Sequence, residues 1–381
     1  MITLNVFGDF APINRGIKSV SNNTAISADI KDVINNADYN IVNLECPVVY
    51  SQNVEAIQKD GPNLKCSEET IKYLKDVGFD LCTLANNHFK DYGEKGIDET
   101  FITCKKNCLE WVGAGRNLQE ARLPKVIEIK GVQIGILNIC EHESSIATDV
   151  EAGSNPIDVI NNYYDINNLK HQVDILILII HGGVEHYNLP SPRMKKLCHF
   201  YADIGVSAII CHHTHCFSGY EIYNDVPIFY SLGNFFFDRI KNSTDTWGTG
   251  YFVQLQMEKK SIDFQMYPYF QCVEEPVVKL MTVNEQTVFK KSIVELNAII
   301  NDDILLAKHY QKWMEKRCRY YISTILTWSG KWFKALFRRG YIHSFVSKQN
   351  ALLLLNYTRC ESHRDLLIRS MKKYIDNKSE L

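Results

Sequence analysis

The sequence predicts an α/β protein, a β-sandwich flanked by helices in four layers with a helical C-terminal extension. Three observations predict it. Short β-rich runs alternate with longer amphipathic stretches. Hydrophobic residues at 45% and charged residues at 23% are those of an ordinary globular chain. Charge and aromatic content change character near residues 285–300.

The strand candidates, in order, are ITLNVFGD, YNIVNLE, FDLCTLANNH, QIGILNICE, DILILIIHGG, SAIICHHTH and PIFYSLGN. Between them, SEETIKYLKDVG and SPRMKKLCHFYADIG space their apolar residues as helices do and stop on glycine. YFVQLQMEKKSIDFQMYPY then reads as a hairpin closing the sheet. Two domains are expected, 1–285 and a basic, aromatic-rich helical part at 286–381 that carries Trp313, Trp328 and Trp332. Residues 301–381 hold 16 Lys+Arg against 7 Asp+Glu, leaving 26 against 37 in residues 1–300. Such a tail can meet an anionic membrane surface or an acidic polymer, although charged helix faces are mostly just solvated.

Several classes are excluded. The longest interior apolar run, ILILII, is far short of the roughly 20 residues that span a bilayer. The N-terminus has no basic segment followed by a long apolar one, so no secretory signal is expected. The 12 cysteines include no CxxC pair, which fits reduced thiols. A cytoplasmic location is therefore expected.

Chemistry gathers at the carboxyl ends of these strands, where open α/β sheets bind ligands. Asp9, Glu45, the run Asn86-Asn87-His88, His181, His213 with His215, and Asn234 each end a predicted strand. Singly, each has a bland reading: Asp9 as a turn residue, Glu45 as a solvated strand end, His181 as a loop cap, Asn87 as an Asx-turn residue, His88 as a core histidine. The pair His213 and His215 says more, because alternate positions of an extended segment share a face and can address one ion; His212 is then expected to point away. Together the set supplies carboxylates, imidazoles and an amide oxygen, as one or two divalent ions (Mn, Fe or Zn) require. Two such ions would serve ester or amide hydrolysis. His88, next to Asn87, would face the substrate as a proton donor. Asp91 either orients His88 or, through Asp91-Tyr92-Gly93-Glu94, caps a helix, and the pattern favours the cap. Asn234 is expected to bond the rim or the substrate, or simply to make a turn.

In this order, the residues closely resemble the CapA, or poly-γ-glutamate capsule synthesis, family of the calcineurin-like metallophosphoesterase fold. The motifs are GDF at 8–10, NLECPV at 43–48, DGPNLKC at 60–66, GFDLCTLANNHFKDYGEKGIDET at 78–100, GAGRNLQEARLP at 113–124, HGGVEH at 181–186, CHHTHCFSGYE at 211–221 and PIFYSLGNFFFD at 227–238. They run from residue 1 to about 270. The resemblance implies a metallophosphatase-like sandwich with metal contacts at Asp9, Glu45, Asn87, His181, His213 and His215, Glu45 bridging. The resemblance gives His88 the general-acid place; beside it, Asp91 is expected as a catalytic residue and Asn86, Glu185 and Asn234 as residues that meet substrate. The wider fold has a histidine two residues after its first aspartate, where this chain has Ala11, so one ion is expected to be weakly held or absent. Cys211 stands where the family tends to have glycine, and Gly182 where it often has tryptophan.

The implied role is that of a metal-dependent hydrolase of a phosphoester or glutamyl amide in capsule or surface-polymer synthesis. The alternative is a non-catalytic polymer-binding or assembly factor. Expected partners are an anionic polymer or phosphoester substrate, capsule-synthesis proteins, and a membrane surface reached through the basic helices. Nucleic acid is not an expected partner, since only the basic tail speaks for it, and an acidic main domain holds a polyanion only where metals offset its charge.

Overall fold

The computed structural model describes residues 1–239, 246–259, 261–325 and 347–376, with positions 332, 336, 339 and 341 between them. Two compact units divide the chain, one of residues 1–57 with 63–306 and one of 58–62 with 307–381.

In the larger unit, two sheets enclose an aliphatic core. The first runs Val278–Leu280, Ser261–Gln271, Thr249–Glu258, Ile2–Ala11, Tyr39–Leu44, Leu81–Thr83, Glu110–Val112, with Asn234–Phe237 alongside Ile2–Ala11. The second runs Tyr220–Tyr223, Val226–Phe229, Ala208–His212, Ile175–His181, Val132–Cys140, Lys125–Ile129. Alternation along each strand builds the layers. Ile134, Ile136, Ile177, Ile179, Ala208 and Ile210 of one sheet meet Leu4, Val6, Ile41, Val253 and Leu255 of the other. The outer face of the first sheet carries Phe7 and Val42 against Ile30, Ile34, Ile71, Leu74 and Ile97 from helices.

The helices start and stop where the sequence signals them. Ser191 accepts a hydrogen bond from Met194 N, Pro192 opens the helix Pro192–Asp203, and Gly78, at φ +112°, terminates Glu68–Val77. The hairpin pairs Thr249–Glu258 with Ser261–Gln271 along its whole length. It lies towards the edge because Thr249–Glu258 takes the antiparallel place beside Ile2–Ala11.

One strand end differs from expectation. Asn234 opens the strand Asn234–Phe237 instead of ending the one before it, which stops at Phe229. Gly233, at φ +78°, turns the chain between the two. The new strand then runs parallel to Ile2–Ala11 with Asp9 opposite Asn234.

The described part of the smaller unit beyond residue 306 is built on helices, with Lys348–Arg359 and Glu361–Asp376 following the long helix Asp303–Ile325. Tyr310 Oη bonds Asp365 at 3.0 Å and Tyr321 Oη lies 3.0 Å from His363 Nδ1. Trp313 is half-buried beneath the Arg317 guanidinium, Trp332 is exposed, and Trp328 lies outside the described residues. No helix among the described residues is long and apolar enough to cross a membrane. All 12 cysteines are free thiols.

Candidate metal centre

A backbone irregularity aims the first carboxylate. Leu4 and Val6 face the core between the sheets and Phe7 faces the helices, so strict alternation would send Asp9 outward with Phe7. Around Gly8 and Asp9 the register slips against both parallel neighbours, and Asp9 falls opposite Asn43 on the inner side. A Cβ on Gly8 would stand 2.1 Å from the Gly233 carbonyl oxygen, so only glycine fits. Ala11, past the irregularity, is buried in the outer apolar cluster and offers no donor.

The other side chains arrive from strand ends. Glu45 follows Tyr39–Leu44, and Asn87 and His88 lie in the loop after Leu81–Thr83. Ile175, Ile177 and Ile179 face inward, so His181, closing the same strand, does too.

The six expected ligands lie together. His181 Nε2 stands 3.0 Å from Asn87 Oδ1, 3.1 Å from His213 Nδ1 and 3.4 Å from Glu45 Oε1. Asp9 lies 3.9 Å from His181 Nδ1 through one oxygen and 4.0 Å from His215 Nδ1 through the other. Donor atoms of Glu45, His181 and His213, and separately of Asp9, Glu45 and His215, fall within 4.8 Å of one another. Asp9, Glu45, Asn87 and all four imidazoles of His181, His212, His213 and His215 are buried.

The reason His213 and His215 meet is not strand alternation. The strand ends at His212, and His213 (φ +96°) and His215 (φ +58°) occupy left-handed backbone in the following loop. His212, expected to point away, faces inward. It continues the inner-facing series Ala208, Ile210 and pairs in register with His181. Its donor atom falls within 4.8 Å of those of Asp9 and His181.

The remaining expected residues surround this cluster. His88 Nδ1 lies 2.7 Å from Asp91 Oδ2, which also accepts Leu64 N at 2.7 Å. The helix Gly93–Lys106 has Tyr92 at its N-cap with no side-chain capping bond, so the carboxylate is engaged with His88 rather than in a capping box. Asn86 is fully buried; its amide donates to Leu44 O at 2.9 Å and its oxygen accepts His88 N at 3.1 Å. Asn234 holds His215 from both ends, Oδ1 at 2.9 Å from the ring Nδ1 and Nδ2 bonding the His215 carbonyl at 3.2 Å. Glu185 is half-buried and acts electrostatically on His215.

Three residues were not anticipated. Asn43 donates to Asp9 Oδ1 at 2.7 Å, approaches His181 Nδ1 at 3.3 Å and accepts Thr83 Oγ1 at 3.2 Å. Its inward position could have been read from alternation with Ile41. Glu143 stands 3.7 Å from His213 Nε2, and the Trp247 ring lies 4.8 Å from the His215 ring. Nothing local in the sequence signals these two, because folding brings them from distant segments.

Burial sets the protonation. It pushes the His212 imidazole down to about 3 and the His215 imidazole down to about 4, and lowers His181 well below its ordinary range. Neutral imidazoles are the form that ligates cations. Burial raises the Asp9 carboxyl, opposed by His215 and the Asn43 amide. The donor set fits a divalent cation. One ring proton on His181 Nε2 can satisfy only one of the oxygens beside it, Asn87 Oδ1 and Glu45 Oε1, whereas a cation satisfies the nitrogen and both.

A two-sheet sandwich with buried carboxylates and imidazoles at one rim is metallophosphatase-like. The chain belongs to the family described as bacterial capsule synthesis protein PGA_cap, whose model matches residues 3–239. It is 32% identical over 249 residues to the capsule biosynthesis protein CapA of Bacillus anthracis, covering 62% of this chain and 60% of that one. It is 33% identical over 213 residues to the PGA biosynthesis protein CapA of Bacillus subtilis (strain 168), covering 55% and 56%. The chain thus spans less than two thirds of either relative. Among solved structures, it is similar to a putative 5'-nucleotidase from Staphylococcus aureus in complex with alpha-ketoglutarate, with 14% identity, TM-score 0.45, and 76% of this chain and 57% of that chain covered.

Proposed function

We propose that this protein is a metal-dependent hydrolase acting on a phosphoester or a glutamyl amide in the synthesis of a capsule or other surface polymer. The observation that carries the reading is the convergence of Asn87, Glu45 and His213 on His181 Nε2 at 3.0–3.4 Å. Asp9, Glu45, Asn87, His181, His213 and His215 would hold one or two divalent ions. When bound, such ions supply Lewis acidity towards a phosphoryl or carbonyl oxygen and lower the pKa of water. His88, 2.7 Å from Asp91, would give a proton to the leaving atom. Asn43 and Asn234 hold Asp9 and His215 in place, as the partners of ligating groups do. The names of the two CapA relatives support the polymer setting, and proteins of a capsule-synthesis system are the proposed partners.

Metal analysis of the purified protein, with manganese-dependent turnover of p-nitrophenyl phosphate and of a γ-glutamyl anilide, tests the reading. Bound divalent metal that is lost in Asp9→Asn and His215→Ala, with turnover of either probe, is the expected result. A protein without bound metal, unchanged by both substitutions, would overturn it.

Ala11 favours a second reading, a polymer-binding or assembly factor that turns nothing over. Its side chain lies in the outer apolar cluster, so that position contributes no ligand. Metal-dependent binding of poly-γ-glutamate with no turnover of either probe would select this reading.

A further inference from the structure

A cation stands beside the candidate metal centre and plays no part in the chemistry above. Trp247 is buried, with its ring 4.8 Å from the His215 ring and its Nε1 donating to the Phe237 carbonyl at 3.0 Å. The guanidinium of Arg239 lies over the same ring, 4.8 Å from its centroid. Arg239 is exposed and pairs with no carboxylate among the described residues. The adjacent Asp238 is engaged by Arg15 at 2.7 Å. A guanidinium over an aromatic face spends no N–H on a hydrogen bond there and keeps its donors for an anion.

The surroundings make such a cation consequential. Residues 1–300 carry 37 Asp+Glu against 26 Lys+Arg. Glu143 lies 3.7 Å from His213, and Glu185 acts on His215. An anionic ligand approaching this rim meets carboxylates, and Arg239 sets a positive charge over Trp247, whose ring lies against His215.

We infer that Arg239, seated on Trp247, is a subsite for a carboxylate or phosphate of the substrate that lies beside, not at, the reacting bond. The inference rests on the proposed function and adds to it one acidic group of the substrate beyond the reacting bond. Bidentate pairing of the guanidinium with such a group gives direction as well as affinity.

Calorimetric titration of the metal-loaded protein with penta-γ-glutamate, a short polyphosphate and the uncharged p-nitroaniline tests it, in wild type, Arg239→Ala and Arg239→Lys. The expected result is at least a tenfold loss of affinity for one anionic probe in Arg239→Ala, a smaller loss in Arg239→Lys, and no change for p-nitroaniline. The anionic probe that responds identifies the acid. Equal affinities of wild type and Arg239→Ala for both anionic probes, no binding of either by wild type, or an equal loss on p-nitroaniline would each overturn it. Metal content and p-nitrophenyl phosphate turnover of the same variants keep the two readings apart. Absence of turnover in metal-loaded wild type, with Arg239-dependent binding intact, removes the hydrolase and leaves the subsite.

Discussion

Metal-free protein will lose stability steeply between pH 7.5 and pH 5. Burial holds His215 near 4 and His212 near 3, and His181 well below 6.5. In the unfolded chain each titrates near 6.5. Between those values the unfolded state binds more protons than the native one, so stability is fully present above the unfolded pKa and falls as pH drops. At pH 5 His212 and His215 have each lost about 2 kcal/mol, from about 1.4 kcal/mol per pH unit over the interval below 6.5. His212 and His215 together lose about 4 kcal/mol, a large share of the stability of an ordinary domain, and His181 acts in the same direction. Asp9 acts in the opposite sense: its raised carboxyl takes up a proton in the native state as pH falls and offsets part of the loss. The assay is urea unfolding of chelator-treated protein at pH 7.5, 6 and 5, with His212→Leu beside wild type. Neither ring nitrogen of His212 has a hydrogen-bond partner among the described residues, so leucine removes a titrating group without breaking a bond. The variant should recover about 2 kcal/mol at pH 5 relative to wild type. A wild-type loss below about 1 kcal/mol over this range, or a variant with an unchanged slope, would refute the reasoning.

Three further outcomes are expected. Asp91→Asn removes the carboxylate 2.7 Å from His88 Nδ1 and should lower kcat by about 10²-fold while bound metal is retained, as read by steady-state kinetics and metal analysis. Gly8→Ala places a Cβ 2.1 Å from a backbone oxygen; it should cost about 1–3 kcal/mol or more in urea unfolding and lower metal content by displacing Asp9. Saturating manganese should flatten the pH dependence of stability relative to chelated protein, because a bound cation keeps its imidazoles deprotonated and stabilises the fold by mass action; superimposable curves with and without metal would count against the donor set.

Much of this protein was legible in one dimension because strands are periodic. Apolar alternation located the strands, and the polar residue interrupting each carboxyl end located Asp9, Glu45, Asn87, His181, His213 and His215. The same logic failed at the end of Ala208–His212. Applying alternation beyond His212 put His213 and His215 on one face for the wrong reason and sent His212 outward, whereas the strand stops at His212 and left-handed backbone swings the next histidines inward. Asp91 was drawn towards a cap by a local pattern, but its carboxylate meets His88 and the amide of Leu64.

Sequence alone determined the class of fold, the strand ends that bear donors, and the types of donor, since residue identity and side-chain period are properties of the chain itself. Tertiary structure decided which of those donors share one buried point. It also decided that Asn43 braces Asp9, that Glu143 and Trp247 approach the histidines, and that Ala11 faces the helices. Those outcomes depend on a register slip at Gly8 and on contacts between segments far apart in the chain, and no local pattern of residues encodes either.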